Sequence, residues 1–414
     1  MNVRTQVVLV LAVIAALLTP TSGAGAQPRP PSVADLPDVA PFEVGQALSA
    51  AELEDIQFVA DDLGMDLDEA IRTYAWQDDF AHTVDQIRNH TTGSLAHAEI
   101  TGATTAEVWL KSSLPDRAAG ALSDFAVHFP HVDVQVVTDY GISEDEIEAA
   151  IVAAHFAVFE SHPQTASEFD FERKSVLVTV SDPTGVIDVG PLEQKANLAV
   201  SEAVEGNRSI SVEVRPSDER TLGGDDSGSY HHGGEYITNG SKYCTTGFGV
   251  THTSGWRRGS TAGHCKNDMS DDSDSLTVTH EYDSLWGDFQ LHWGADTQTD
   301  DFYSGNSSTT ETTKRDLSGF STAVAGQTLN KNGANTHRTQ DTVRNISVCH
   351  DGNCYMLQMH NRKAAGGDSG GPVFWGYTAY GTHEGYMWSW FKNRDTVSRA
   401  DSLHEALPGW NWWY

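Results

Sequence analysis

Two short segments in the second half of the chain hold residue types that could together perform nucleophilic catalysis. Residues 261–265 read TAGHC, and residues 366–372 read GGDSGGP. The hydroxyl of Ser369 would become a strong nucleophile only if a positioned imidazole, such as that of His264, took its proton. Flanking glycines allow a sharp turn that aims main-chain N–H groups at the attacked carbonyl oxygen. Each segment alone also fits a glycine-rich turn or a structural histidine, but the two together favour acyl transfer.

The acidity of the chain argues against nucleic acid as a partner. The 414 residues carry a net charge of -32 at pH 7, whereas binding to phosphates needs clustered Lys and Arg. Residues 1–220 hold 36 acidic and 12 basic side chains, and the remaining residues hold 22 and 14. This asymmetry predicts two parts with different roles, each long enough to bury its own core.

The N-terminus has the features of a secretory signal peptide. Arg4 precedes an apolar run over residues 7–18, and small residues lead up to Gln27. The run is shorter than the ~20 residues that span a bilayer, which disfavours a membrane anchor. We therefore expect residues 1–26 to be removed, and the protein to be secreted, extracellular and free of the membrane afterwards.

The four cysteines, Cys244, Cys265, Cys349 and Cys354, all lie in the second half. An even number in a chain with a secretory leader favours two disulfides. Four cysteines allow three connectivities, and the closest partners along the chain are Cys244 with Cys265 and Cys349 with Cys354. A zinc site is the alternative, but CxxC and HExxH spacings do not accompany the cysteines. We therefore expect no metal and no cofactor.

Periodicity divides the chain into an α/β part and an all-β part. Alternating helical and strand patterns before residue 220 predict an α/β domain, with helices expected over residues 49–89, 143–160 and 192–204 and strands over 107–110, 132–137, 175–180 and 209–214. Capping-box residues begin two of these helices, Ser49 with Glu52 and Ser143 with Glu146. Residues 216–242 predict an exposed junction. Beyond it, short apolar runs and dense turn residues predict a β domain with one helix over 397–406.

On its TAGHC and GGDSGGP segments, the chain resembles the chymotrypsin-like serine peptidases, and more closely the bacterial streptogrisin and α-lytic protease group. The resemblance implies that His264 is the general base, that Ser369 is the nucleophile, and that the N–H groups of Gly367 and Ser369 form the oxyanion hole. It also implies an α+β multidomain precursor. Residues 27–220 would be an α/β propeptide that aids folding and inhibits, and residues 221–414 a trypsin-like double β-barrel peptidase domain.

The same resemblance places the third catalytic residue between His264 and Ser369. Family aspartates precede an aromatic or aliphatic residue and a short apolar strand, which matches Asp288 in the sequence GDFQL. The acid-rich run over residues 268–283 predicts a solvated loop instead. We therefore assign Asp288 the role of holding the imidazole tautomer. We also predict a Cys244–Cys265 disulfide that ties a barrel strand to the strand carrying His264.

Substrate choice depends on the strand after the nucleophile, which forms one wall of the specificity pocket in the resemblance. His383 falls where glutamate-preferring relatives place a histidine, and Lys363 lies near the pocket base. Both would favour an acidic residue at P1, the acyl side of the scissile bond. Tyr386, also in the pocket, and Glu384 are larger than usual and would narrow it or repel an acid. A pocket for apolar P1 groups, with His383 as a packed strand residue, is the alternative.

The sequence thus predicts a monomeric serine endopeptidase made as a zymogen, whose partners are protein or peptide substrates and its own propeptide. A catalytically inactive binding module on the same fold is a rival, which the complete set of His264, Asp288 and Ser369 disfavours. A second rival treats the first half as an independent binding domain. The aromatic C-terminus, residues 410–414, predicts packing onto the barrel in preference to an adhesive surface patch.

Overall fold

The computed structural model describes residues 48–182, 187–204, 209–217, 233–241, 243–271, 274–294, 299–305, 313–389 and 392–414. The predicted signal peptide lies outside these ranges and stays a prediction, as does most of the predicted junction over residues 216–242. The described part of that junction is not all exposed as expected, since residues 236–238 form a strand in which Tyr236 and Ile237 are buried. Within the described ranges, no helix is both long enough and apolar enough to cross a bilayer.

The first half mixes helices with two small sheets. Its helices are α1 (Ala50–Leu63), α2 (Leu67–Tyr74), α3 (Gln77–His90), α4 (Asp116–His128), α5 (Glu144–Phe159) and α6 (Val189–Ala203). Its strands are β1 (Leu95–Gly102), β2 (Thr105–Leu110), β3 (Asp133–Val137), β4 (Thr165–Asp170), β5 (Ser175–Ser181) and β6 (Ser211–Ser217). Strands β2 and β3 run parallel with α4 between them in the chain, and β5 and β6 run parallel with α6 between them. The predicted helices and strands fall close to observed ones, but the sequence analysis did not predict α4, β1 or β4.

Both predicted capping boxes are present. In α1 the main-chain N–H of Glu52 donates to Ser49 Oγ at 3.2 Å, and the carboxylate of Glu52 accepts from the Ser49 N–H at 2.7 Å. Ser143 and Glu146 make the same reciprocal pair at the start of α5. These bonds satisfy N–H groups that have no partner within the helix, and so they fix where each helix begins.

The second half is β-rich, as the sequence predicts. Its strands are β7 (Tyr236–Thr238), β8 (Tyr243–Thr245), β9 (Gly249–His252), β10 (Arg257–Thr261), β11 (Ser270–Asp271), β12 (Asp274–Ser275), β13 (Thr277–Ser284), β14 (Gly287–Trp293), β15 (Asp301–Tyr303), β16 (Lys314–Asp316), β17 (Gly319–Phe320), β18 (Thr328–Gly333), β19 (His337–His350), β20 (Asn353–Met359), β21 (Pro372–Trp375), β22 (Thr378–Ser389), β23 (Lys392–Arg399) and β24 (Trp410–Trp412). One sheet has the order β13-β14-β10-β9-β24, and another contains β18-β21-β22-β23-β20-β19. The predicted catalytic histidine follows β10, and the predicted serine precedes β21.

Two sequence-based expectations are wrong in this half. The helix expected over residues 397–406 is only a short 3-10 turn followed by α7 (Leu403–Ala406), because Val397 belongs to β23 and is buried between β20 and β22. The acid-rich run over residues 268–283 is not all loop, since β13 covers its last part. Antiparallel pairing with the buried strand β14 orders that segment, although most of its side chains stay exposed.

The disulfides join the cysteines that are closest along the chain, which confirms the predicted Cys244–Cys265 pair. This bond ties β8 to the segment that follows β10 and carries His264. The second disulfide, Cys349–Cys354, closes the turn between β19 and β20. Both bonds therefore brace segments close to the predicted catalytic residues.

The aromatic C-terminus packs onto the second half, as predicted. Trp410 and Trp412 are buried in β24, which pairs with β9. The indole N–H of Trp412 donates to the main-chain carbonyl of Ala400 at 2.8 Å. This bond satisfies a polar atom that burial would otherwise leave without a partner.

A continuous sheet joins the two halves. Strand β4 pairs antiparallel with the end of β19, with Ser167 opposite Cys349 and Ala166 opposite His350. The strands β4, β5 and β6 thereby extend the long sheet of the second half to ten strands. Residues far apart in the chain thus share one main-chain hydrogen-bond network.

Buried ion pairs add to this interface. Asp55 in α1 is fully buried and accepts from Arg315 at 2.8 Å, from Arg338, and from the main-chain N–H of Gly376 at 2.6 Å. A further ion pair joins Glu148 to Arg399, and hydrogen bonds from neutral donors join Asp78 to Tyr380, Asp85 to Ser321 and Glu168 to Asn345. An unpaired buried charge is strongly destabilising, so these pairs specify how the halves fit together.

Candidate active site

A buried carboxylate holds the predicted general base in place. Asp288 on β14 is 1% exposed. Its Oδ1 accepts from the main-chain N–H of His264 at 2.8 Å, and its Oδ2 accepts from Nδ1 of the same residue at 2.6 Å. Two bonds to one carboxylate fix both the position and the tautomer of the imidazole, leaving Nε2 for proton transfer.

The glycine of the TAGHC segment, Gly263, allows Asp288 to approach closely enough to bind His264. A Cβ atom at Gly263 would lie 2.6 Å from Asp288 Oδ1 and 2.7 Å from the main-chain carbonyl oxygen of Tyr282. Any side chain there would force β14 away from the turn that carries His264. The absence of a side chain at Gly263 therefore allows the turn that carries His264 to approach the neighbouring backbone closely.

The surrounding charges change the basicity of His264. Burial alone would lower the pKa of its imidazole, but the carboxylate of Asp288, helped by Glu384 and Asp283, raises that pKa to about 9. A base must be neutral to accept a proton, and the imidazole is protonated below its pKa. Proton abstraction by His264 therefore becomes more effective as the pH rises.

The loop around Ser369 needs its glycines. Gly367 has a φ of 95° and Gly370 a φ of 94°, in the left-handed region that side chains disfavour. A Cβ at Gly370 would also lie 2.1 Å from the main-chain carbonyl oxygen of Thr245. The GGDSGGP segment therefore forms a turn that few other sequences could adopt.

Ser369 and His264 line one cleft of about 500 Å³. In the described structure, Ser369 Oγ donates to the main-chain carbonyl of Glu384 at 3.2 Å and makes no hydrogen bond to His264. The structure thus brings the two side chains into the same cleft but does not join them. Catalytic hydrogen bonds often tighten only when substrate binds.

The predicted oxyanion donors are available. Within the described part of the chain, the main-chain N–H groups of Gly367 and Ser369 donate to no acceptor. Both belong to the turn that contains Ser369. Two such groups beside a nucleophile could bind the negative oxygen that develops when a carbonyl is attacked.

A buried carboxylate beside the nucleophile supports this turn. Asp368 is fully buried, and its carboxylate accepts from Lys331 and from the N–H groups of Asn335, Thr336 and Ala365, each at 3.0 Å. Burial would raise the pKa of Asp368, but the ammonium of Lys331 and the hydroxyl of Thr336 hold it at about 2. Lys331 lies 37 positions before Asp368, and no local motif marks it.

The specificity wall contains His383 but not Lys363. His383 on β22 is 2% exposed and lines the cleft. Its Nδ1 has no hydrogen-bond partner in the described structure, and burial lowers its pKa, so the ring is neutral. Lys363 is exposed and lines a small cavity behind His383 rather than the cleft. The carboxylate of Asp395 accepts from the main-chain N–H groups of Lys363 and Ala364, and the neighbouring Arg362 lines the cleft.

The carboxylates in the cleft have nearby partners. Glu384 accepts from Thr396 and lies 3.9 Å from His350 Nδ1. Burial would raise the pKa of Glu384, but His350, the imidazole of His264 and the hydroxyl of Thr396 hold it at about 2. Asp283, from the run expected to be solvated loop, lines the cleft and accepts from Asn353 at 2.8 Å. These contacts hold the negatively charged carboxylates of Glu384 and Asp283 in position around His264.

The first half of the chain reaches the cleft. Phe159, the last residue of α5, is part of the cleft lining. One turn earlier, His155 Nε2 donates to the main-chain carbonyl of Asp351 at 2.7 Å. A larger cavity of about 600 Å³ lies between the halves around His97 and Arg344, and none of the predicted site residues lines it. The predicted site residues His264, Ser369, His383 and Tyr386 line the smaller cleft instead, together with Phe159 of α5.

Comparisons with known proteins point to peptidases. No family model matches the chain. The chain is 34% identical over 165 residues to glutamyl endopeptidase 2 of Streptomyces griseus, covering 37% of this chain and 84% of that protein. It is 34% identical over 166 residues to serine protease 2 of Streptomyces fradiae, covering 92% of it. Serine protease 1 of the same organism is 31% identical over 166 residues, but only 44% of its length is covered.

A solved structure with similar features is described as a glutamic acid specific serine protease that uses a histidine triad in substrate binding. It is 27% identical, with a TM-score of 0.37, and the match covers 44% of this chain and 99% of that chain. The assignment of the chain to a family therefore rests on the two Streptomyces proteins that are 34% identical to it.

Replacing Asp288 by Asn should lower kcat by about four orders of magnitude, because an amide favours the wrong imidazole tautomer. Asp283→Asn is the matched control, since Asp283 lines the same cleft without bonding to His264. Steady-state kinetics on a peptide substrate would measure both. Greater damage from Asp283→Asn than from Asp288→Asn would contradict the assignment.

The pH profile of kcat/KM should have its acid limb above pH 6.5, the ordinary pKa of histidine, and toward the pKa of about 9 for His264. Activity falls as the pH drops through that pKa because the protonated imidazole cannot accept the serine proton. Asp283→Asn should move the limb to lower pH, since it removes one carboxylate that favours the imidazolium. A limb at or below pH 6.5 would count against this electrostatic account.

Proposed function

The chain belongs to the streptogrisin and α-lytic protease group of chymotrypsin-like serine peptidases and is a serine endopeptidase, and we propose that it works through an acyl-enzyme on Ser369. The observation that carries this mechanism is the imidazole of His264, bound twice by the buried carboxylate of Asp288, in the same cleft as the Ser369 hydroxyl. This is the arrangement that nucleophilic catalysis by serine needs.

In the first step, Ser369 Oγ leaves the carbonyl of Glu384 and turns toward His264. Nε2 takes the hydroxyl proton while Oγ bonds to the substrate carbonyl carbon. The carbonyl oxygen becomes negative and accepts from the N–H groups of Gly367 and Ser369. His264 then gives its proton to the leaving amine, and the C–N bond breaks. Water, deprotonated by the same imidazole, attacks the ester, and the proton returns to Ser369 Oγ as the acid product leaves.

We further propose that the enzyme prefers glutamate at P1. His383 supports this preference, because its buried Nδ1 lacks a partner and can meet a buried carboxylate as a donor. The similarity to a glutamyl endopeptidase supports the same substrate class. The carboxylate of Glu384 accepts a hydrogen bond from Thr396, which reduces its electrostatic repulsion of an acidic P1 side chain.

The proposal includes a secreted precursor whose residues 27–220 are a propeptide, following the signal peptide expected at 1–26. Strand β4 extends the sheet of the second half at β19, and carboxylates of the first half pair with arginines of the second. Pairings between residues so distant in sequence form slowly, so a preformed edge strand would speed them. Phe159 at the cleft supports an inhibitory role as well.

Profiling of P1 preference tests the endopeptidase proposal. The active form recovered from the full chain should cut a peptide with Glu at P1 faster than matched peptides with Phe, Leu or Arg. Ser369→Ala should lower kcat by about six orders of magnitude and abolish labelling by an active-serine phosphonate, because the nucleophile is gone. His383→Ala should slow the Glu substrate most. Faster cleavage of Phe or Leu by the parent would refute the acidic preference but leave the mechanism intact.

Expression of the halves as separate chains tests the propeptide proposal. Residues 221–414 alone should be inactive and should gain activity when residues 27–220 are added. Asp55→Asn in the added half should weaken this rescue by about a hundredfold, since an arginine pair loses its buried partner at a cost of about 3 kcal/mol. Asp61→Asn, on the exposed side of the same helix, is the control and should rescue normally. Unaided refolding of residues 221–414 to an active enzyme would overturn the proposal.

A further inference from the structure

The cleft wall beside His383 contains a cation that the sequence analysis did not consider. Arg362 lines the cleft, and its guanidinium carbon lies 3.8 Å from the centroid of the Tyr386 ring. Tyr386 is three residues beyond His383 on β22, and both line the cleft. A planar guanidinium on an aromatic face is held by cation–π attraction and keeps its N–H edges free to donate.

The charge of Arg362 is not already neutralised. Within the described residues, no carboxylate lies within ion-pair distance of it, although the chain has more than twice as many acidic as basic side chains. The acidic side chains that line the cleft lie near other groups: Asp283 accepts from Asn353 at 2.8 Å, Glu384 accepts from Thr396, and Asp351 Oδ1 lies 3.9 Å from His350 Nε2. An exposed and uncompensated guanidinium beside a pocket is suited to an anion supplied by the substrate.

Because His383 is neutral, a bound P1 carboxylate would need its positive counter-charge from another side chain, such as Arg362. An imidazole without charge can donate one hydrogen bond to a P1 carboxylate but cannot balance its negative charge. Burying an ionised carboxylate without a counter-charge is costly. Lys363 does not reach the cleft, whereas its neighbour Arg362 does.

We infer that Arg362, held over the Tyr386 ring, is the specificity residue that supplies the positive charge for an acidic P1 side chain. This inference rests on the proposed preference for glutamate and adds the group that distinguishes a charged from a neutral side chain. His383 would donate from the wall formed by β22, and Arg362 would donate from the segment that precedes Ser369. The forked guanidinium can bind both oxygens of one carboxylate.

The test compares Arg362→Gln with Lys363→Gln, which removes the same charge one residue away and outside the cleft. The active form from the full chain is assayed on matched peptides with Glu or Gln at P1. Arg362→Gln should lower kcat/KM for the Glu peptide by about ten- to a hundredfold, as loss of a charge-assisted bond does. It should leave the Gln peptide unchanged, which shows that the variant is folded. Lys363→Gln should leave both unchanged.

Three results would overturn the inference. The first is an equal effect of the two variants on the Glu peptide, which would indicate a long-range charge effect. The second is an equal loss on Glu and Gln peptides, which would indicate a structural role for Arg362. The third is a loss confined to peptides with Glu at P2 and Gln at P1, which would place the cation in another subsite. A parent enzyme that prefers Phe to Glu would refute the proposed function itself, whatever the variants show.

Discussion

A carboxylate removed from water must be given donors, and this constraint shapes the molecule at three places. Asp288, Asp368 and Asp55 are each at most 1% exposed. The donors that satisfy them are, in turn, the imidazole of the proposed base, Lys331 together with nearby main-chain N–H groups, and arginines of the second half. Because an unsatisfied buried charge is so costly, each aspartate dictates the position of what surrounds it.

The same contacts connect folding with inhibition in the proposed precursor. Strand β4 lies beside β19, whose end leads into the turn over residues 350–353 at the cleft. Helix α5 packs on that turn through His155 and brings Phe159 to the cleft lining. A segment that organises this edge of the sheet therefore also occupies space beside the proposed nucleophile. Release of the first half would both finish maturation and open the cleft.

Recognition of substrate in this cleft depends on which of its side chains carry a charge. His383 is neutral because it is buried, while the carboxylates of Asp283 and Glu384 sit close enough to His264 to raise its pKa. A positive group near the pocket therefore has to come from a side chain that stays partly in water. Arg362 meets this requirement by lying on Tyr386 at the edge of the cleft.

The sequence alone was sufficient wherever a residue's neighbours along the chain set its environment. The capping boxes at Ser49 and Ser143 and the Cys244–Cys265 disulfide depend on local geometry and were predicted correctly. The TAGHC and GGDSGGP segments pointed to His264 and Ser369, which line one cleft. Lys331 beneath Asp368, Arg362 in place of Lys363, and the strand that replaced the helix expected at residues 397–406 depend on partners from distant strands. Sheet pairing decides which side of a strand faces a cleft and which charges meet. Only the tertiary structure brings those partners together, so only the tertiary structure could decide these features.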